Sequence, residues 1–223
     1  AVAAAVLGSR WRRPYRRDLV LLSWGLVAGV VAQIVLGGVA VLTELSPPTV
    51  MGHFLLSQVL IANAVVLHHR AGEPDTGVRR ADEPRATIRL GWLMIALTVA
   101  VQFMGTVVTG TGPHGGDPDV DRLDFAIADV ARVHAVLGLS LAAVVLCLLW
   151  RTRRGWPVVA AIAAQIAIGY IQYFNGVPEV LVGMHLLGAT LVLIAVLWLH
   201  LSFWTVVADP ETAPAPPAAA VPP

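Results

Sequence analysis

Apolar residues in this chain gather in long runs rather than in narrow stripes. Residues 19–43, 90–110, 127–150, 156–174 and 180–207 each form a stretch with almost no charge. Each matches the roughly 20 residues that a helix needs to cross a bilayer. Residues 50–68 make a sixth, shorter stretch that no Asp, Glu or Arg interrupts. Runs of this length leave no polar face, so the pattern predicts helices surrounded by lipid and by each other. Residues 1–8 are apolar and end at a basic run, and they read as the tail of a helix that begins before Ala1. They hold no basic residue ahead of the apolar run, so no cleavable signal is evident. The expected fold is an all-α polytopic membrane protein with six full transmembrane helices and the end of another. Residues 208–223 are rich in Pro and Ala and read as disordered.

The polar stretches between the runs alternate in charge. Residues 9–18 carry Arg10, Arg12, Arg13, Arg16 and Arg17; residues 70–89 carry five more arginines and residues 151–156 carry three. The intervening stretches, 44–49, 111–124 and 175–179, contain only Arg122. The positive-inside rule puts the arginine-rich loops and the C-terminus in the cytoplasm. Most of the seven tryptophans fall near ends of predicted helices, as an interfacial belt requires.

Residues 28–68 align without a gap on residues 160–200, at an offset of 132. Matched identities include Gln33/Gln165, Gly37/Gly169, Val50/Val182, His53/His185 and His68/His200. Both copies run inside–outside–inside, so two pseudo-symmetric halves related by an axis along the membrane normal are expected. The expected divisions are 1–68, an incomplete first half; 69–89, a cytoplasmic loop; and 90–207, a four-helix second half.

Composition agrees with this picture. The chain is 57% hydrophobic and 13% charged, against roughly 25% charged for a soluble domain. A net charge of +1 speaks against nucleic acid as a partner. All fifteen basic residues are arginine, a bias typical of GC-rich bacterial genomes. Cys147, the single cysteine, has no partner for a disulfide within the chain.

Candidate chemistry lies with histidine. His53 and His185 fall about one turn into helices that start at the outer face, and His134 about two turns in. An ionisable group inside a bilayer is costly and points to function, although one imidazole can also serve as a helix–helix hydrogen-bonding group. The repetition of His53 at His185 favours a ligand role in each half, for a metal or a haem. His134 and His185, at similar depth and expected on neighbouring antiparallel helices, would supply both axial ligands of a haem. Arg132 either pairs with haem propionates or snorkels to the surface. Gln33 and Gln165 either bond between helices or touch a haem edge. His68, His69 and His200 sit at the cytoplasmic ends, where imidazole suits the interface. His114, in a Gly- and Pro-rich turn, is either a turn residue or functional.

Several of these residues fall within a longer ordered pattern. Residues 105–117 (GTVVTGTGPHGGD), Arg132-Val133-His134, Gln165-Ile166-Ala167-Ile168-Gly169, Gln172-Tyr173-Phe174 and Met184-His185 together resemble the haem A synthase family. Gly37 to Thr43 followed by His53-Phe54 resembles the first half of the same family. The resemblance spans nearly all of residues 18–206. It implies eight transmembrane helices in two four-helix halves, with two haem sites near the outer face of a bacterial plasma membrane. The second half would hold haem b (iron) between His134 and His185. The first half would receive haem O as substrate, with His53 as one of two histidines there. The other would fall before Ala1, so the chain reads as N-terminally truncated. The family oxidises a methyl group of haem O to a formyl group, giving haem A for aa3-type terminal oxidases. The implied partners are haem O, the lipid bilayer, a haem O synthase and an electron donor. Two other readings compete. One is a membrane cytochrome b that relays electrons without a substrate haem. The other is a small repeat-built transporter, which the lack of acidic residues at the helix centres disfavours.

Overall fold

The computed structural model describes residues 1–113 and 119–207. Among them, seven helices carry the fold: α1 (Val2–Trp11), α2 (Arg17–Leu42), α3 (Pro47–Ala71), α4 (Arg85–Thr111), α5 (Ile127–Thr152), α6 (Trp156–Phe174) and α7 (Glu179–Leu201). The last six are long and apolar enough to cross a membrane. At about 1.5 Å per residue even α6 approaches the ~30 Å of a hydrocarbon core. Large side chains such as Ile34, Leu42, Trp150 and Phe174 are exposed on the outside of the bundle, as lipid-facing residues are. The protein is an all-α polytopic membrane protein.

Two short strands, β1 (Val78–Ala81) and β2 (Trp204–Val207), were not expected from the sequence. They pair antiparallel, Val78 opposite Val207 and Ala81 opposite Trp204. The apolar run 180–207 looks like one helix, but α7 stops at Leu201 and the remainder forms β2. Asp82 drives the switch, since its N–H donates to Phe203 O at 2.9 Å and its carboxylate accepts from Thr205 Oγ1 at 2.8 Å. The sheet lies at the arginine-rich end. There Arg12 bonds Asp75 at 2.8 Å, Arg16 bonds Asp18 at 2.9 Å, and Arg154 donates to Ser202 O at 2.9 Å. The expected disordered tail, 208–223, and His114 lie outside the described residues.

α4 to α7 form a four-helix bundle. α5 packs on α4 and α6, and α7 packs on α6 and α4. One continuous core joins them: Met94 from α4, Leu141, Val145 and Leu148 from α5, Val158 and Ile162 from α6, Val192, Val196 and Leu199 from α7, closed by Phe203. The first half contributes α1, α2 and α3, with α3 packed against α7 and α4.

The duplication is visible in atomic detail. α2 and α6 end at matched positions, Leu42 and Phe174, and α3 and α7 start at matched positions, Pro47 and Glu179. The turns between them repeat as well. Glu44 and Leu45 have φ of 53° and 57°, and their counterparts Gly176 and Val177 have φ of 73° and 58°. The same bond closes both turns, Leu45 N to Ala40 O and Val177 N to Gln172 O, each at 2.8 Å. Where the halves meet, Gln58 Nε2 donates to Thr190 Oγ1 at 3.1 Å, and these residues are themselves counterparts 132 positions apart. Further along, Ile61, Ala62 and Val65 share a cluster with their counterparts Leu193, Ile194 and Leu197. Near the arginine-rich end the rings of His68 and His69 meet Trp198 at 5.7 and 5.4 Å. Counterparts meeting in the same order along both helices require α3 and α7 to be parallel, with the pseudo-two-fold axis running between them.

Candidate functional site

A cavity of about 410 Å³ opens among α4, α5, α6 and α7, within the usual range for a small-molecule site. His134, His185, Arg132 and Gln165 all line it, together with Phe54 from α3. Its wall is mainly apolar, and none of the described residues that line it is acidic.

His134 is the eighth residue of α5 and His185 the seventh of α7. Their ring centroids are 6.2 Å apart with an interplanar angle of 65°. The helices that carry them differ from expectation. α5 and α7 run in the same direction and occupy diagonal corners of the bundle rather than neighbouring, antiparallel positions. The diagonal placement is what opens a gap between the rings, because each imidazole leans on a different neighbouring helix. His134 Nδ1 donates to Val101 O on α4 at 3.1 Å. This bond fixes the tautomer and leaves Nε2 with its lone pair free. The nearest atom to the missing side chain of Gly105 is His134 Cε1, at 3.2 Å from where a Cβ would stand. His185 stands on α6 in the same manner, its Cε1 at 3.4 Å from the Cβ position of Gly169. Its Nδ1 is buried without a partner.

This chain matches no known family model and no curated protein.

The fit to a haem rests on the donor set. Two imidazoles on one metal from opposite sides, with bonds of about 2.0–2.1 Å, have centroids roughly 6.3 Å apart. The observed 6.2 Å agrees with that separation. Among the described residues, no three His, Cys, Asp or Glu side chains come together as a metal site. A haem brings ring nitrogens of its own and asks the protein for two ligands, the number these imidazoles could supply.

The other candidates divide. Arg132 pairs with Asp129 at 3.1 Å, and their side chains are 74% and 70% exposed. Such a pair is worth at most about 1 kcal/mol and leaves the guanidinium free to exchange partners at the cavity rim. Gln165 reaches into the notch that Gly188 leaves on α7. Its counterpart Gln33 bonds between helices, donating to His53 O at 3.2 Å and to Ser57 Oγ at 2.6 Å.

His53 is not part of the cavity wall. It is the seventh residue of α3, as His185 is of α7, and its Cε1 lies 3.3 Å from the Cβ position of Gly37. Its Nδ1 is likewise buried without a partner. His200, expected at the cytoplasmic interface, lies in the last turn of α7. It is only 4% exposed, boxed by Trp92, Phe203 and Trp204, and neither ring nitrogen has a hydrogen bond. Sequence reasoning missed Gly105, whose signal was the repeated pairing of a glycine on one helix with a histidine on another at 37/53 and 169/185.

Proposed function

We propose that this chain carries the haem-binding half and part of the substrate half of a haem A synthase-type oxidoreductase. The facing imidazoles of His134 and His185 across an apolar cavity carry this reading. In it, His134 and His185 hold a haem b, and Arg132 at the rim pairs with its propionates. Held by these two imidazoles, the haem would supply electron transfer. His53, in the other half, positions the substrate haem O so that one methyl edge is held for oxidation to the formyl group of haem A. The pseudo-two-fold relation puts His53 and His185 at the same depth. In this reading both sites lie toward the outer face of a bacterial plasma membrane, and the arginine-rich end with the C-terminus is cytoplasmic. A haem O synthase and a separate electron donor are its expected partners.

The test is pigment extraction and reduced-minus-oxidised spectroscopy on the full-length protein purified from membranes. A low-spin haem b together with co-purifying haem O or haem A supports the reading. Haem b alone, with no conversion of added haem O, assigns the protein instead to membrane cytochromes that only relay electrons. No haem b at all overturns both.

A further inference from the structure

The three deep histidines stand on three glycines, and the contact is the same each time. The atom nearest the missing Cβ is the imidazole Cε1, at 3.3 Å for Gly37 and His53, 3.2 Å for Gly105 and His134, and 3.4 Å for Gly169 and His185. Nδ1 is the next nearest, at 3.7, 3.6 and 4.0 Å. Each ring therefore turns its Cε1–Nδ1 edge toward the neighbouring helix. Two of the three pairs are counterparts in the duplication, but Gly105 and His134 are not, so common descent of the two halves does not account for the third.

Helix geometry supplies a reason. A helical side chain tilts toward the N-terminus and covers the turn before its own Cα. Under it lies the carbonyl four residues back, which has one lone pair in the helix bond and one to spare. A glycine uncovers that carbonyl. For Gly105 the uncovered carbonyl is Val101 O, and His134 Nδ1 is bonded to it at 3.1 Å. For Gly37 and Gly169 the carbonyls four residues back are those of Gln33 and Gln165, and the buried, unpartnered Nδ1 atoms of His53 and His185 lie over these glycines. A polar atom buried in hydrocarbon without a partner is costly, so each site has both a donor and a reason to use the acceptor beside it.

We propose that Gly37, Gly105 and Gly169 are positioning residues for His53, His134 and His185. Each bares a helix carbonyl that takes the Nδ1 proton and aims Nε2 at the haem. The proposal rests on the reading of these histidines as haem ligands. Gly105 and Gly169 also line the cavity, so the imidazole tautomer is the readout that separates positioning from room for the haem.

The experiment uses the full-length protein with Gly105→Val, Gly169→Val and Gly37→Val. Gly183→Val and Gly38→Val serve as controls, because a Cβ there meets nothing within 4 Å. Gly105→Val and Gly169→Val are expected to retain about tenfold less haem b, the usual cost of losing such a supporting bond, and to turn low-spin signal into high-spin. Gly37→Val is expected to keep haem b and lose conversion of haem O. Gly169→Ala, whose Cβ would stand at 3.4 Å, should be milder than Gly105→Ala at 3.2 Å. Imidazole 15N NMR of the haem-free protein reads the tautomer directly. The wild type should show His134 protonated at Nδ1, and Gly105→Val should lose that preference. Wild-type haem content and spin state in both second-half valine variants would overturn the proposal, as would a His134 protonated at Nε2 in the wild type. If the wild type takes up no haem, the ligand reading falls by itself and the tautomer measurement decides the role of Gly105.

Discussion

The two halves share a hairpin and hold it together differently. α6 and α7 sit in a continuous apolar core that draws on four helices. α2 and α3 have few buried apolar residues, Leu19, Leu26, Ala40 and Val65 among them, and are joined by polar side chains. Asn63 donates to Leu22 O at 2.9 Å and Gln33 to Ser57 at 2.6 Å, while the counterparts of Asn63 and Ser57 are Ala195 and Ala189. In lipid, helix association relies on close packing and on such polar contacts, because the surroundings are as apolar as the side chains. The same backbone thus frames two imidazoles with a mainly apolar core in one half and one imidazole with more side-chain hydrogen bonds in the other. In the proposed function, the apolar half keeps a resident cofactor and the more polar half receives a substrate.

The sharpest way to break this contrast is to exchange its imidazoles for alanine. His134→Ala or His185→Ala in the full-length protein should remove the whole low-spin haem b spectrum. His53→Ala should leave that spectrum and abolish the formation of haem A, read by extraction. The reverse pattern would mean that the halves have been assigned the wrong way round.

Packing comes next. Leu148 in the second half is 0% exposed, and Leu148→Ala should cost about 2–5 kcal/mol in reversible unfolding from detergent micelles. Leu26, at 9%, borders open lipid-facing surface, and Leu26→Ala should cost toward the low end, about 2 kcal/mol. Equal costs would show that the surroundings of Leu26 support it as fully as those of Leu148 do.

The repeated turn gives a smaller and more specific test. Glu44 occupies the left-handed position that its counterpart fills with Gly176. A non-glycine residue there costs about 1–2 kcal/mol, so Glu44→Gly should stabilise and Gly176→Glu destabilise by roughly 1 kcal/mol in the same assay. The smallest effect belongs to the seam. A double-mutant cycle with Gln58→Leu and Thr190→Val should give a coupling of about 0.6 kcal/mol, typical of a hydrogen bond between membrane helices.

Much of this was legible in the sequence, for identifiable reasons. The spans are written in runs of apolar residues, so the bounds of α6 match to the residue and those of the others lie within six. The strands were hidden because β2 continues an apolar run, and what turns it into a strand is β1 and Asp82, more than a hundred residues away. The depths of His134 and His185 could be counted from the helix starts, but their diagonal placement could not, since it depends on which helices pack side by side. Gly105 stands in the 105–117 pattern, but no spacing along the chain pairs it with His134 on the next helix. The contact of Gln58 with Thr190 gave no sign either, because the two residues are unlike although their positions are equivalent.

A residue that touches its own counterpart marks a place where two copies of one hairpin would meet face to face. The α3–α7 seam is therefore the interface expected of a homodimer of a single-hairpin ancestor, each residue facing itself in a partner. Gln58 now faces threonine, and the counterpart of His69 is Leu201. The seam keeps the geometry of a self-complementary pair while its two sides no longer share one sequence.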